Sequence, residues 1–538
     1  MNIIFALTSL FFFLWIVRNV LFWIALWQLK EYRFDRVKIH LLETMQGQTL
    51  LFSPWNMVRW VVILLYPLVV IYERHIWSYQ WLIFFIFFLL ALQVLREVFF
   101  HLVKRPVITI KALMIIAFVF FIIALLYVLP IANQFVWLMI LDKLVVLIVA
   151  FAIFAFSIPT EFYRDLQIEK AVRKIENYKR INKKLLVIGI TGSYGKSSTK
   201  EYVAQMLDKK FNVLKTQGTN NTPIGIANTI LQSLRKDTQI FVVEMGAYKK
   251  GEIAQLCEMV RPTIGILTAV NMQHASLFGD LENTKQAKYE LMESLPKNGL
   301  ALFNGNNQNA VELYKKSKKK KILYKVKNTS LSKITDEKEV AAYGIVTEKN
   351  AVSFSVVLGK KSLRLTAPLV GAHNVENILP GVFLAHHLGM NDAEIKKAIS
   401  VLVPIPKTMI LHQALGVSIV DDTFNANPQA VRAVLEYMKL YTGKRILVMQ
   451  PMIELGKNAS EEHELIGKEI GNVCDFLFLT NKNFYQDILR GVKKSKKKCV
   501  VVVGNTLFIS QRISALSQKG DIITCEGKEA AFVLDRLF

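Results

Sequence analysis

Five long apolar runs crowd the first 160 residues of this 538-residue chain, and they limit its fold more than any other feature. About 20 consecutive apolar residues cross a bilayer. Runs near 3–26, 57–72, 76–95, 107–129 and 135–158 reach or approach that length. The second is short and is flanked by Trp55 and Trp60, which suits a membrane interface. Residues 1–160 carry 12 Lys+Arg and 6 Asp+Glu, whereas the remaining 378 carry 55 and 36. The net charge of +25 therefore divides into +6 and +19, and most of the excess lies beyond the apolar runs. This pattern excludes a simple soluble enzyme and an intrinsically disordered chain. The first run is too long for a removable signal peptide, lacks a cleavage site and is interrupted by Arg18.

Loop charge sets an orientation. Lys30, Arg33, Arg36 and Lys38 follow the first run, and Arg96, Lys104 and Arg105 follow the third; the loops after the second and fourth hold only Arg74. The positive-inside rule predicts an integral protein of the cell membrane, with its N-terminus outside and everything after 158 in the cytoplasm. Asp142 and Lys143 lie inside the fifth run and Lys111 opens the fourth. Ionisable residues at membrane depth raise a functional suspicion, but internal pairing or snorkelling is the favoured reading. No ladder of such residues suggests a coupled pump. In residues 160–184, Ile168, Val172, Ile175 and Tyr178 recur at helical spacing. They predict an amphipathic linker helix, either against cytoplasmic membrane lipids or as a solvated connection. Cys257, Cys474, Cys499 and Cys525 form no CxxC and suggest neither a disulfide framework nor a zinc site.

The segment KLLVIGITGSYGKSSTKEYVAQML has the strand, glycine turn and helix that a phosphate loop needs. Gly192 and Gly195 let backbone N–H groups approach phosphate oxygens, Lys196 can reach terminal phosphates, and Ser197 can place a hydroxyl on magnesium. The strict spacing wants glycine at 190, which is Ile190. Glu244 ends an apolar strand, where open α/β sheets bind ligands, and suits magnesium. Asp421 and Asp422 end another strand.

This loop resembles the ATP loop of the Mur ligases, ATP-dependent enzymes that build the peptide of cell-wall precursors. Further segments resemble that family in order: TQGTNNTPIGIANTIL, IFVVEMGAYKKGEIAQL, the His and lysine helix within PTIGILTAVNMQHASLFGDLENTKQAKYELMESL, GAHNVENILPGVFLAHHLG, IVDDTFNANPQAVRAVLEYM and MIELGKNASEEHELIG. The DD-x-Y-N-A-N-P type of segment is typical of the member that joins D-alanyl-D-alanine to a UDP-N-acetylmuramoyl-tripeptide. The resemblance covers about 185–538. It implies ATP binding by Thr191, Gly192, Ser193, Tyr194, Gly195, Lys196, Ser197, Ser198, Asn377 and Asp422. It implies magnesium on Ser197, Glu244, His274 and Lys288, the lysine carrying carbon dioxide as a carbamate. Lys196, His274, Lys288 and Lys407 are the expected catalytic set, and Asn220, Asn221, Asn425 and Asn427 the expected substrate contacts. His373 belongs to the same motif as Asn377, with helix capping as its structural alternative, and turn formation is the alternative for Asn425 and Asn427.

The expected architecture is a membrane domain of about five transmembrane helices (1–159), an amphipathic linker helix (160–184), a central α/β P-loop ATPase domain of Mur ligase type (185–402) and a C-terminal Rossmann-like α/β domain (403–538), with parallel sheets. The implied activity is an ATP-dependent amide ligation through an acyl phosphate. The partners would be a muramyl-peptide acceptor and an amino-acid or dipeptide donor. Four features depart from the family, among them MQPM (449–452) where Leu-Gly-Asp-Met is usual. The membrane part stands where relatives hold the UDP-sugar, which raises a lipid-linked acceptor. PIPKTM (404–409), with Lys407, replaces the usual Gly-Arg, and TCEGKEAAF stands where K-G-S-R is usual. A ligase for another amino-acid or glutamyl substrate and an ATP-binding membrane scaffold are the alternative readings. The lysine runs at 315–321 and 493–498 suggest solvated loops or contact with anionic headgroups; without interleaved aromatics they do not suggest nucleic acid.

Overall fold

A helix satisfies its own backbone, so it can leave its side chains in lipid, and the first third of the chain consists of helices, five of them long and apolar enough to do so among the described residues. The structure is a computed structural model that describes residues 2–43, 45–72, 76–100, 102–131, 133–181, 185–218, 220–247, 249–271, 280–327, 338–358, 361–452, 455 and 458–537. Two units result, Met1–Asp165 and Leu166–Phe538.

In the first unit and the helix leaving it, five segments among the described residues are long and apolar enough to cross a membrane: Ile3–Leu29, Gly47–Ile71, Trp77–Phe99, Ile110–Tyr127 and Gln134–Ile181. The second starts at Gly47 rather than near 57, because helices Met45–Phe52 and Pro54–Tyr72 follow each other with only Ser53 between them. Pro54 sits in a first turn, where its missing N–H is no loss. This longer span contains Arg59, which a span starting at 57 leaves near the interface. Arg59 Nη1 donates to Asp142 Oδ2 at 2.6 Å, and Trp15 Nε1 donates to Oδ1 at 2.6 Å. Lys143 Nζ donates to the Asn56 carbonyl at 3.3 Å and stands 3.9 Å from Asp142. Arg18 makes two bonds to Glu97, at 2.8 and 3.0 Å, and Lys111 Nζ donates to Thr160 Oγ1 at 3.2 Å. Internal pairing therefore accounts for the charges within these apolar helices. Leu64, Phe121 and Leu147 point outward from this unit.

The second unit begins with the end of helix Gln134–Ile181. Here the sequence left a lipid face and a solvated linker open; instead, the apolar stripe packs on protein. Ala171 and Ile175 are buried in one core with Ile226, Phe241 and Ile253, and Ile168, Val172 and Tyr178 pack around it. Polar contacts fix the docking. Lys174 Nζ donates to the Leu231 carbonyl at 2.8 Å, and Lys179 Nζ to the Val260 and Arg261 carbonyls at 2.9 Å each.

The first sheet contains β1 (Leu186–Thr191), β2 (Val213–Lys215), β3 (Ile240–Glu244), β4 (Ile264–Leu267), β5 (Leu300–Asn304), β6 (Lys320–Val326), β7 (Glu339–Thr347), β8 (Val352–Leu358) and β9 (Lys361–Ala367). Its order is β2-β3-β1-β4-β5-β6-β7-β8-β9. The second contains β10 (Ile410–Ala414), β11 (Val417–Asp422), β12 (Arg445–Met449), β13 (Phe476–Leu479), β14 (Val500–Val503) and β15 (Ile522–Glu526), in the order β10-β11-β15-β12-β13-β14. Helices cover the strands β1 and β3 on both faces, so both read as unbroken apolar runs. The sheets are mixed rather than wholly parallel. β7–β8, β8–β9 and β10–β11 are antiparallel edge pairs, and β8 alternates buried and half-buried residues as an edge pair should. The β10–β11 turn is Leu415–Gly416, both with positive φ (51° and 80°), the mirror-image turn that suits a two-residue hairpin.

Candidate functional site

β3, β1 and β4 are neighbours in the first sheet, and their carboxyl ends lie along the edge where α/β sheets receive ligands. From β1 the chain turns through Gly192 and Gly195, and helix Lys196–Leu207 begins immediately. Both glycines are required: at Gly192 (φ 152°) a Cβ would lie 2.0 Å from Thr268 Oγ1, and at Gly195 (φ 77°) one would lie 2.8 Å from Asn377 Oδ1. Thr268 Oγ1 donates to the Tyr194 carbonyl at 2.5 Å. Ser193 Oγ bonds the backbone of Asn271, accepting its N–H at 3.0 Å, and Asn307 Nδ2 in turn donates to Asn271 Oδ1 at 3.0 Å. The loop thus presents a helix N-terminus with unpaired backbone donors, an arrangement that binds phosphate. Ser197 and Ser198 lie half-exposed at that helix start. Thr191 is buried and donates to the Met245 carbonyl at 2.9 Å, so its side chain ties β1 to β3. Lys196 Nζ crosses the loop to the Gly192 and Ser193 carbonyls at 2.7 and 3.2 Å. Burial lowers the pKa of that amine and the nearby Glu244 opposes the shift. Burial pushes the Tyr194 hydroxyl up to about 12, with the charge of Glu376 adding to it.

Glu244 is 1% exposed at the end of β3. Its Oε1 accepts from Asn221 Nδ2 at 3.1 Å, so Asn221, expected at the substrate, also orients this carboxylate. Its Oε2 is buried with no hydrogen-bond partner. A buried carboxylate oxygen left without a donor fits a hard cation. Lys288, on helix Leu281–Glu293, is 4% exposed, so even unmodified it is not the solvated helix residue that was its structural alternative. Its Nζ donates to the Ala247 carbonyl at 3.3 Å. Burial, then the neighbouring charge of Lys196, lowers its pKa to about 7. A neutral amine is the form that adds carbon dioxide, so this lysine fits the carbamate chemically. His274 lies outside the described residues. Among the described residues, no three His, Cys, Asp or Glu form a metal-binding group.

Asn377 stands over Gly195 from helix Asn374–His387. His373 occupies the N-cap position but makes no capping bond. Its Nδ1 is buried and without a partner, and burial holds its pKa down at about 4. Asn220 is exposed.

In the second sheet, Asp422 and Glu526 are partners in register at the ends of β11 and β15, 5% and 0% exposed. Burial raises the pKa of both, and the charge of Asp422 adds to the shift at Glu526; both Glu526 carboxylate oxygens are buried with no hydrogen-bond partner. Neighbouring carboxyls disfavour joint ionisation. Asp422 Oδ1 also accepts from the Met409 N–H at 3.2 Å, and Asp421 Oδ1 accepts from Thr423 Oγ1 at 2.6 Å. Lys407 is exposed, with φ 65°, in the segment joining the two sheets. Asn427 caps helix Pro428–Met438, accepting from Gln429 and Ala430 N–H at 3.1 and 3.0 Å, which is the turn role weighed against substrate binding. Asn425 is exposed. The motif reading missed Glu526 and Lys200. Glu526 closes an apolar strand just as Glu244 does, and Lys200 lies one helical turn beyond Lys196.

Residues 190–385 match the Mur ligase middle domain, and residues 409–529 match the family described as Mur ligase, glutamate ligase domain. The UDP-N-acetylmuramoyl-tripeptide–D-alanyl-D-alanine ligase of Synechocystis sp. is 31% identical over 296 residues, covering 54% of this chain and 61% of that protein. The Escherichia coli protein of the same name is 29% identical over 283 residues, covering 52% and 61%. The chain thus spans less than two thirds of the length of these curated relatives. Its fold is that of solved MurF structures. For MurF from Acinetobacter baumannii the TM-score is 0.61 at 23% identity, covering 70% of this chain and 80% of that one. For the MurF ligase of Thermotoga maritima in complex with ADP it is 0.60 at 24%, covering 70% and 82%.

Proposed function

We propose, from the premise that the chain belongs to the Mur ligase family, that it is a membrane-anchored, ATP-dependent amide ligase adding D-alanyl-D-alanine to a muramyl-tripeptide cell-wall precursor. The observation that carries this reading is the buried Oε2 of Glu244, which accepts no hydrogen bond, beside a phosphate loop that holds Lys196. The names of the relatives and the ADP bound to the Thermotoga maritima structure support the substrates.

In this reading residues 185–402 hold ATP and 403–538 close over it. The loop from Thr191 to Ser198 grips the phosphates and Asn377 lies on the adenine side. Ser197, Glu244, His274 and a carbamate on Lys288 would hold magnesium, which offsets the charge that develops on the transferred phosphoryl group. The acceptor carboxylate attacks the γ-phosphorus, ADP leaves, and an acyl phosphate forms. The amine of D-alanyl-D-alanine then attacks the acyl carbon and phosphate departs, leaving an amide. Lys196 balances charge in the first step, and the protein acts by positioning rather than by covalent chemistry. Asp422 and Lys407 approach ATP on closure; Asn220 and Asn425 face the acceptor and the amine. Lys407 offers a point charge rather than a planar fork.

The loop charges support an N-terminus outside, with the ligase domains in the cytoplasm and membrane lipids around the five spans. That anchor favours a lipid-linked over a UDP-linked acceptor. Phosphate release from ATP tests both: the full-length protein in detergent is given D-alanyl-D-alanine and either UDP-linked or lipid-linked muramyl-tripeptide. Release with one acceptor identifies its class, and release with neither rejects the ligase.

A further inference from the structure

Lys200 is fully buried, one turn after Lys196 on the same helix face. Its Nζ donates to the Gly218 carbonyl at 2.6 Å. The amine lies 3.3 Å from Glu201 Oε1 and 3.6 Å from Glu244 Oε2. That last oxygen is the one without a hydrogen-bond donor. The lysine is therefore held by two groups on its own side and faces the carboxylate oxygen across a gap longer than a hydrogen bond. Glu201 is itself shared with Lys215, so its charge only partly offsets the ammonium.

We propose that Lys200 is a resident cation that makes metal entry at Glu244 depend on nucleotide. The inference rests on the reading of Glu244 as a magnesium ligand. A divalent ion bound to Glu244 Oε2 comes within a few ångströms of a fixed ammonium that has no room to withdraw. Like charges at that separation, away from water, repel strongly. Nucleotide phosphates bring the negative charge that cancels this repulsion. The carboxylate is thus kept paired before nucleotide arrives, and the metal enters with the nucleotide. Lys200 is a positioning residue here, since it acts through Glu244. Through Gly218 and Asn221 the same carboxylate is tied to the loop at 216–222, so that loop shares the arrangement.

Manganese is the probe, read by paramagnetic resonance and by the thermal midpoint of the full chain in detergent. In the wild type, millimolar manganese alone is expected to leave the midpoint unmoved, and manganese with ADP to raise it. Lys200→Gln keeps a donor for Gly218 and drops the charge; it should bind manganese without nucleotide at least tenfold more tightly than the wild type. Lys200→Arg should restore the weak binding. The proposal is overturned if manganese alone raises the wild-type midpoint as much as manganese with ADP. It is equally overturned if folded Lys200→Gln binds manganese no more tightly. Should Lys200→Gln not fold, the wild-type comparison decides alone. If manganese with ADP has no effect on the wild type, the ligase reading falls and this inference falls with it.

Discussion

Lys288 shows how burial selects chemistry at a single residue. With its amine near pKa 7, about half the side chain is neutral at neutral pH, and the neutral fraction drops about tenfold for each pH unit below that. Carbamate formation needs the neutral amine. Activity in carbon-dioxide-free buffer should therefore fall on the acid side of pH 7, and added bicarbonate should shift that limb to lower pH. A limb indifferent to bicarbonate contradicts the carbamate. Lys288→Ala should lose at least 100-fold in turnover and recover part of it with short carboxylic acids; normal turnover rejects the role. Glu526 makes a second case. Glu526→Leu removes the buried carboxyl beside Asp422 and should raise KM for ATP about tenfold, whereas Glu526→Gln, which keeps a neutral polar group there, should stay near wild type. Equal KM values for both variants would show that the pair has no part in nucleotide binding. The sequence marked Lys288 through its motif but gave no sign of its burial. It missed Glu526 although the same signal, an acidic residue closing an apolar strand, singled out Glu244.

Elements were legible where one pattern has one solution. β1, the glycine turn and the helix after it lie where the residues placed them, because an apolar strand buried on both faces and a glycine-started helix leave little choice. The helix ending at Ile181 was less legible, since an apolar stripe records a need for cover and not what supplies it. The β10–β11 hairpin was hidden because Leu415, fully exposed with positive φ, is not a residue that announces such a turn. The second membrane span was read short because a lone Ser53 and Pro54 interrupt it. Its Arg59 makes a prediction at this scale. Asp142→Leu strands a guanidinium at membrane depth and should cost about 3–5 kcal/mol, read as a lower thermal midpoint in detergent. An unchanged midpoint would show that the spans do not depend on this pair.

At the scale of the whole molecule, the proposed orientation is testable on the intact chain. An epitope at the N-terminus should be reached from outside intact cells, and one at the C-terminus only after permeabilisation; the reverse result rejects the topology. Packing of residues 168–179 within the second unit also governs where the polypeptide can be cut. A soluble fragment started at 185, where the family resemblance begins, would bare the surface that Ala171 and Ile175 cover and leave the Leu231 and Val260 carbonyls without their lysines. One started at 166 keeps both. The shorter fragment should aggregate and the longer one remain monodisperse, so a protease that trims the membrane-bound protein should stop before Ile168.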